Sequence, residues 1–272
     1  MEKTALITGA SSGIGYELAR IFAREGYNLV IVGRDQDTLT STAQTFKQEF
    51  GRTVTTIAKD LSLPNSPEEL YQEVNSQGIK IDALVNNAGM GEYGLFAETD
   101  LQKELAIIQL NITSLVHLTK LFLQDMIARG EGKILQLASI AGTMPNPLMA
   151  VYGATKAFVL SFSEALAEEL KDTNITITAL LPGATGTDFF NKAGANDTTV
   201  AEIASETDPA DVAQDGYDAL MRGDVKIVSG MMNKIQTAMA AVLPDSLNAK
   251  NMRKQMEKKE PEGESKAAGA GA

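Results

Sequence analysis

The stretch YGATK places Tyr152 and Lys156 four residues apart, just before a largely apolar run, AFVLSFSEALAEELK, with helical periodicity. On a helix that spacing sets both side chains on one face. Two readings follow. Both chains can snorkel at the edge of a core, stems buried and polar tips in water. Alternatively the ammonium stabilises the phenolate, and a phenol with an ordinary pKa of about 10 becomes a usable acid and base. The pair alone does not choose between them.

A second constellation sits near the start of the chain. Thr8-Gly9-Ala10-Ser11-Ser12-Gly13-Ile14-Gly15 follows a short aliphatic run and opens a helical pattern. Glycines let a backbone turn tightly and approach a pyrophosphate, and the free N–H groups of a helix N-terminus attract the anion. A Gly-rich turn without a ligand is the plain alternative. Its position between a first strand and a first helix favours dinucleotide binding. About 20 residues on, a carboxylate would bind an adenosine ribose 2′-hydroxyl. Gly33 occupies that place and Arg34 follows, and a guanidinium there suits a 2′-phosphate. Asp35, next along, is the competing candidate for the ribose. Further on, Asn86-Asn87-Ala88-Gly89, Ser139 and the turn Pro182-Gly183-Ala184-Thr185-Gly186-Thr187 each end an apolar run. Buried amides there need hydrogen bonds, which a turn or a ligand can supply.

The elements that must position these residues alternate. Strands are expected at 4–8, 28–32, 53–58, 83–87, 133–138, 175–181 and 225–229, most of them apolar at consecutive positions, as in strands buried on both faces. Helical segments lie between them: one from Ile14 to the stop at Gly26, one opened by Ser66, Pro67 and Glu69 as a capping box, a long apolar one over 100–129, one over 151–171 and one from Asp208 to Gly223. This order predicts an α/β, doubly wound Rossmann sandwich with a seven-stranded, mostly parallel sheet. Ligands bind such sheets beyond the carboxyl ends of the strands, which is where the unusual residues occur.

TGASSGIG, NNAG, Asn111, Ser139, Y-x-x-x-K and the late PG together resemble the compact, single-domain short-chain dehydrogenase/reductase family, in order and at the family's spacings from residue 4 to about 230. The resemblance implies a catalytic tetrad. Tyr152 would be the acid/base, Lys156 would lower its pKa and bind the nicotinamide ribose, Ser139 would polarise the substrate carbonyl, and Asn111 would hold a water relaying protons to Lys156. It also implies cofactor contacts from Gly9, Ser11, Ser12, Gly13, Ile14, Gly15 and Arg34, from Asp60 and Leu61 of the KDL stretch, and from Asn87, Ala88, Gly89, Pro182, Gly183, Thr185 and Thr187. The chain departs from the family pattern at Ala138, the first place of a common Ser-Ser pair, at Thr185, where an aliphatic residue is usual, and at Ser12, which some NADP enzymes replace with a basic residue. Arg34 then carries the preference for NADP(H) over NAD(H) largely alone. The implied activity is NADP(H)-dependent interconversion of a carbonyl (ketone, aldehyde or 3-oxoacyl) and an alcohol. The alternative is a non-catalytic NADP(H)-binding regulatory or scaffold protein on the same fold, since fold does not dictate function.

Composition narrows the rest. A net charge of −11 over 272 residues argues against a nucleic-acid partner, and the absence of cysteine excludes disulfides, thiolate catalysis and zinc–thiolate sites. No cluster has metal-ligand spacing, so no metal is expected. No unbroken apolar run reaches the roughly 18 residues that span a bilayer, and MEKTALITGA lacks a signal pattern, so a cytoplasmic protein without a transmembrane segment is expected. One domain over 1–257 and a disordered tail over 258–272 are expected, with a homodimer or homotetramer formed through the long apolar helices, as the resemblance suggests. Met90, Met144, Met149, Phe189 and Phe190 fall on loops near the expected pocket and imply a fairly apolar small-molecule substrate. Residues 186–207 read as a mobile lid. His117, the single histidine, is assigned to packing; Met231, Met232 and Met239 fit an amphipathic C-terminal segment, assigned to core or lid packing with membrane docking as the alternative.

Overall fold

The computed structural model describes residues 2–258. Seven strands form one parallel sheet: β1 (Thr4–Thr8), β2 (Asn28–Gly33), β3 (Val54–Ala58), β4 (Ala83–Asn86), β5 (Gly132–Leu137), β6 (Ile175–Leu181) and β7 (Lys226–Val228), in the order β3-β2-β1-β4-β5-β6-β7. The strand expectations hold to within one or two residues at each end. The order reverses between β1 and β4, which register from Ala5 opposite Ala83 to Ile7 opposite Val85. The loops leaving these two strands therefore diverge and open a crevice at the carboxyl edge.

Period-2 alternation sends side chains to two separate cores. Ala5, Ile7, Leu29 and Ile31 pack against α1 (Gly13–Arg24), α2 (Gln36–Phe50) and α9 (Pro209–Arg222). Leu6, Val30, Val32 and Leu84 pack against α3 (Ser66–Ser76) and the long helix across the other face. The sequence reading did not mark α2. Its hydrophobic stripe is sparse, with Leu39, Thr42 and Phe46 buried, but its ends are well defined by the Asp35 cap and left-handed Gly51. The capping box at Ser66 does not form. The helix already begins at Ser66, which is buried, and Asn65 is the N-cap without a side-chain cap bond.

Residues 101–129 form one continuous helix: α4 (Leu101–Ile108), a π-wound stretch (Gln109–Ser114) and α5 (Leu115–Arg129). Counting mean hydropathy rather than unbroken apolar runs, this helix is long and apolar enough to cross a membrane, contrary to the sequence expectation. Here its apolar side is spent on the sheet: Leu118, Phe122, Leu123 and Met126 are buried in the second core. The helix α6 (Ala150–Glu169) lies beside it.

After β6 the chain makes two short helices, α7 (Phe189–Lys192) and α8 (Thr199–Ala204), and after β7 two more, α10 (Met231–Ala240) and α11 (Asp245–Met256). Met231, Met232 and Met239 do not pack: all three are exposed, and Met252 and Met256 of α11 are the buried methionines of this segment. His117 is half-exposed on α5, 3.3 Å from the Glu68 carboxylate of α3, rather than a core residue. The expected tail over 258–272 lies outside the described residues except for Lys258, which bridges to Thr198.

Candidate active site

Tyr152 enters on the first turn of α6. The chain turns into this helix through Leu148, held at φ 66°, the one non-glycine among the described residues with a left-handed backbone. For a Leu this is a strained state, and the Leu148 carbonyl is fixed there by the Gly94 N–H at 2.9 Å. Lys156 follows one turn later on the same face, with Nζ 5.7 Å from the Tyr152 ring centroid. Its ammonium is buried and donates to the Leu137 carbonyl at the end of β5, 2.6 Å away.

Ser139 stands two residues beyond β5. Its Oγ accepts from the Ala141 N–H at 3.1 Å, which caps a 3-10 turn over Ile140–Thr143, and lies 3.3 Å from the Pro182 carbonyl. The Tyr152 phenol lies close enough to this hydroxyl for the serine to act to lower its pKa.

Burial pushes the Tyr152 phenol up to about 12, against the opposing hydrogen bond from Ser139. Burial also pushes Lys156 down to about 8. The expected lowering of the tyrosine by the lysine is therefore not a property of the protein alone. Each group is desolvated, and the ammonium is turned to a main-chain carbonyl rather than to the phenolic oxygen.

Asn111 sits inside the π-wound stretch, where an extra residue in the turn re-aims side chains. Its Nδ2 donates to the Met90 carbonyl and to Thr155 Oγ1, both at 3.0 Å, and its Oδ1 accepts from the Met90 N–H at 3.1 Å. Both amide protons are used, and only one lone pair of Oδ1 is left to receive a proton donor. Asn111 thus ties the loop after β4 to α6. Thr155, which the sequence reading passed over although it lies inside YGATK, completes this tie by donating to the Tyr152 carbonyl at 2.7 Å. Gly89 borders both groups: a β-carbon there would stand 3.4 Å from Asn111 Oδ1 and 3.5 Å from Lys156 Nζ.

The glycine loop after β1 fits a dinucleotide. Gly9 (φ 68°) and Gly13 (φ 57°) need left-handed backbones, and a β-carbon at Gly15 would collide with the Gly9 carbonyl and the Asn87 side chain. Asn87 braces the loop by donating Nδ2 to the carbonyls of Thr8 (2.9 Å) and Gly9 (3.1 Å). Thr8 Oγ1 in turn accepts from the N–H groups of Asn87 and Ala88, both at 3.0 Å. Asn86 is used differently, in a buried triad with Thr119 and Gln136. Ser12 makes no side-chain cap bond to α1, which leaves that helix end open to an anion.

Beyond β2, Arg34 is exposed and forms no hydrogen bond or ion pair among the described residues. Asp35 is turned away: its Oδ1 accepts from the Thr38 N–H at 2.7 Å as the cap of α2, and these bonds hold its carboxyl below the usual range. Burial would raise Asp60, but hydrogen bonds from Ser62 and the nearby Arg34 charge outweigh it and keep the carboxyl low. Leu61 is buried beside it, its carbonyl accepting from Ser114. After β6, Pro182 accepts from the Ile140 N–H at 3.0 Å, Thr185 donates to Gly183 at 3.0 Å, and the Thr187 methyl lies 2.8 Å from where a β-carbon of Gly13 would be. The loop after β6 and the glycine loop thus meet across the crevice.

On the open side of Tyr152 the lining is apolar. Met149, Ala193, Met252 and Met256 are buried together, with Tyr93, Met144, Leu148, Tyr152 and Phe189 packed against them. The Phe189 ring lies 5.0 Å from that of Tyr152, and Phe190 stands edge-on to Phe189. Met90 is not in this cluster. Tyr93 donates to the Met256 carbonyl at 2.7 Å, which clamps α11 over the site. The i, i+4 spacing of Met252 and Met256 in an otherwise polar helix was the available signal for this wall.

The model of the short chain dehydrogenase family matches residues 3–198. The chain belongs to that family. Among its relatives, the very-long-chain 3-oxoacyl-CoA reductase of Rattus norvegicus is 38% identical over 65% of this chain and 58% of the relative. The ketoacyl reductase HetN of a Nostoc species is 30% identical over 90% of this chain and 87% of its own. Among solved structures, a short-chain dehydrogenase from Sphingobium yanoikuyae, in complex with NADPH, superposes with a TM-score of 0.79 at 30% identity, covering 89% of this chain and 96% of that one. The family's oxidoreductase chemistry thus accompanies the seven-stranded parallel sheet described above.

Proposed function

We propose that this dehydrogenase is an NADP(H)-dependent carbonyl reductase, acting on ketones, aldehydes or 3-oxoacyl groups and running in reverse as an alcohol dehydrogenase. The observation that carries the reading is the convergence of Tyr152, Ser139 and Lys156 at the carboxyl end of β5, beside the glycine cradle. When bound, NADPH supplies the hydride. Tyr152 donates its proton to the carbonyl oxygen as negative charge develops there, and the Ser139 hydroxyl, released from the long Pro182 bond, donates to the same oxygen. A phenol raised to about 12 is fully protonated at neutral pH, which suits the reducing direction. Lys156 would hold the ribose hydroxyls and the phenol, and Asn111 would keep the Met90 loop against α6.

The 2′-phosphate of NADP(H) would fall to Arg34, which makes no hydrogen bond or ion pair among the described residues, while Asp35 is occupied as a helix cap. The apolar wall of Met149, Phe189, Met252 and Met256 supports an apolar substrate, and the ketoacyl reductases among the relatives support a 3-oxoacyl thioester as one candidate. Exposed Leu101, Leu105 and Ile108 on α4 and Phe158 on α6 support a homodimer or homotetramer built on these helices.

The test is NADPH oxidation against a panel of ketones, aldehydes and 3-oxoacyl thioesters, with Tyr152→Phe as control. Loss of the proton donor should lower kcat by roughly 10²- to 10⁴-fold while cofactor binding persists. Near-normal turnover by Tyr152→Phe would remove the assignment.

A further inference from the structure

Helix α10 is amphipathic in the opposite sense to a surface helix. Its polar Asn233, Gln236 and Thr237 are turned toward the protein, where Asn233 Nδ2 donates to the Ser229 carbonyl at 2.8 Å. Its outward face is apolar. Met231 is 71% exposed, Met232 74%, Ile235 48%, Met239 55% and, just past the helix, Val242 82%. At 3.6 residues per turn these side chains, with Ala238 among them, form one stripe roughly 120° wide. With Leu247 at the start of α11, six of the sixteen exposed large apolar side chains of the described residues fall between 231 and 247. A patch this concentrated marks an interaction surface rather than scattered surface hydrophobes.

Charge identifies what covers it. The chain carries −11, yet residues 231–258 hold five basic side chains (Lys234, Lys250, Arg253, Lys254, Lys258) and two acidic ones (Asp245, Glu257). The segment stays basic to residue 272, seven cations against five anions. Arg253 faces Glu257 at 3.6 Å and Lys258 faces Asp197 at 3.9 Å, while Lys234, Lys250 and Lys254 make no ion pair among the described residues. Residues 259–272 contain no Val, Ile, Leu, Met or aromatic side chain that could complement the stripe. A second copy would complement it poorly, because a two-fold contact sets the patch against itself, cations facing cations. An anionic bilayer satisfies both features, taking the methionines at the acyl boundary and the lysines at the headgroups. The charge of the rest of the chain weakens this little, since fields are screened within about 8 Å at physiological salt.

We propose that α10 and α11 form a docking face for anionic lipid bilayers. The same two helices adjoin the site: Asn233 lies against Gly183, and Met252 and Met256 line the wall beside Tyr152. A docked protein therefore holds its substrate side close to the lipid.

The experiment is co-sedimentation of the full chain with phosphatidylcholine vesicles, with and without roughly one-third phosphatidylserine, at physiological ionic strength. Binding is expected to the anionic vesicles and at least about 10-fold weaker to neutral ones. Each headgroup-facing cation is worth roughly 5-fold, so Lys234→Gln, Lys250→Gln and Lys254→Gln together should weaken binding about 100-fold. Replacing Met231, Met232, Ile235 and Met239 by Ser should abolish it. These side chains are solvent-exposed, so both variants should keep the wild-type Tm, which verifies the fold. Failure of the wild type to bind phosphatidylserine vesicles, or equal binding by the variants, overturns the proposal. If the serine variant instead changes the oligomeric state without any vesicle binding by the wild type, the stripe is an interface between copies.

Discussion

Replacing Arg34 by Ala isolates the group that should decide between the two nicotinamide cofactors. Among the described residues Arg34 has no hydrogen bond or ion pair to lose, and it is solvent-exposed, so the substitution should leave the fold intact. What it removes is the cation for a 2′-phosphate. Charge-assisted hydrogen bonds contribute roughly 1.5–3 kcal/mol, which corresponds to about a 10- to 150-fold loss of NADPH affinity. NADH, with no phosphate at that position, should change by no more than a few-fold. One effect adds to the loss: Asp60 lies within electrostatic reach of Arg34, and removing the cation leaves that carboxylate uncompensated against any phosphate, which enlarges the effect on NADPH. The competing residue, Asp35, is committed to the Thr38 N–H at 2.7 Å and would have to uncap α2 to reach a ribose. Gly33→Asp supplies the missing carboxylate directly. Its β-carbon would stand 3.3 Å from Leu39 Cδ2, a contact the leucine relieves by shifting a few tenths of an ångström. The double variant should therefore move preference from NADPH to NADH. Fluorescence titration of both cofactors against wild type, Arg34→Ala and Gly33→Asp/Arg34→Ala tests this. A wild type that prefers NADH, or equal weakening of both cofactors by Arg34→Ala, refutes the reasoning about the phosphate and leaves the reductase assignment standing.

Lys156 predicts a pH dependence of stability without ligand. Its folded pKa of about 8 lies below its ordinary 10.5, so between these values the unfolded chain binds more protons and stability rises with pH. The gain from pH 8 to pH 10 should be about 2 kcal/mol, opposed above pH 10 by Tyr152 and Tyr217, both raised to about 12. Lys156→Met should remove that rise in urea titrations at the two pH values, and an unchanged slope would mean that the ammonium is not desolvated. Asn111→Ala leaves the Met90 N–H and carbonyl without partners, so a loss of roughly 2–4 kcal/mol is expected in the same titrations, together with reduced NADPH turnover. Hydrogen exchange over residues 186–207 should slow when NADPH is added if this segment closes on the site; equal protection in both states rules out a ligand-gated lid.

Much of this protein is legible without coordinates. Strands buried on both faces read as unbroken aliphatic runs, so β1, β2, β5 and β6 were marked nearly to the residue, and their alternation with helices implied the doubly wound sheet. TGASSGIG and YGATK are local: their residues act through a turn or a single helical face, and sequence spacing carries that geometry. Helix α2 was missed because its stripe is thin and its ends depend on capping.

Other features follow only from the folded structure. Asp35 competes with Arg34 in the sequence, and its carboxylate is taken by the Thr38 N–H once α2 forms. Asn111 reaches its partners only because the helix carries a π-wound stretch there. The pKa values of Tyr152 and Lys156 follow from burial, which the fold imposes, and the i, i+4 rule alone suggested the opposite sign for the tyrosine. The methionines of the C-terminal segment show the limit most directly. Met231, Met232, Met239, Met252 and Met256 all invite burial by composition. Only the packing of α11 on Tyr93 and of α10 through its polar face decides which of them form the wall of the site and which face outward.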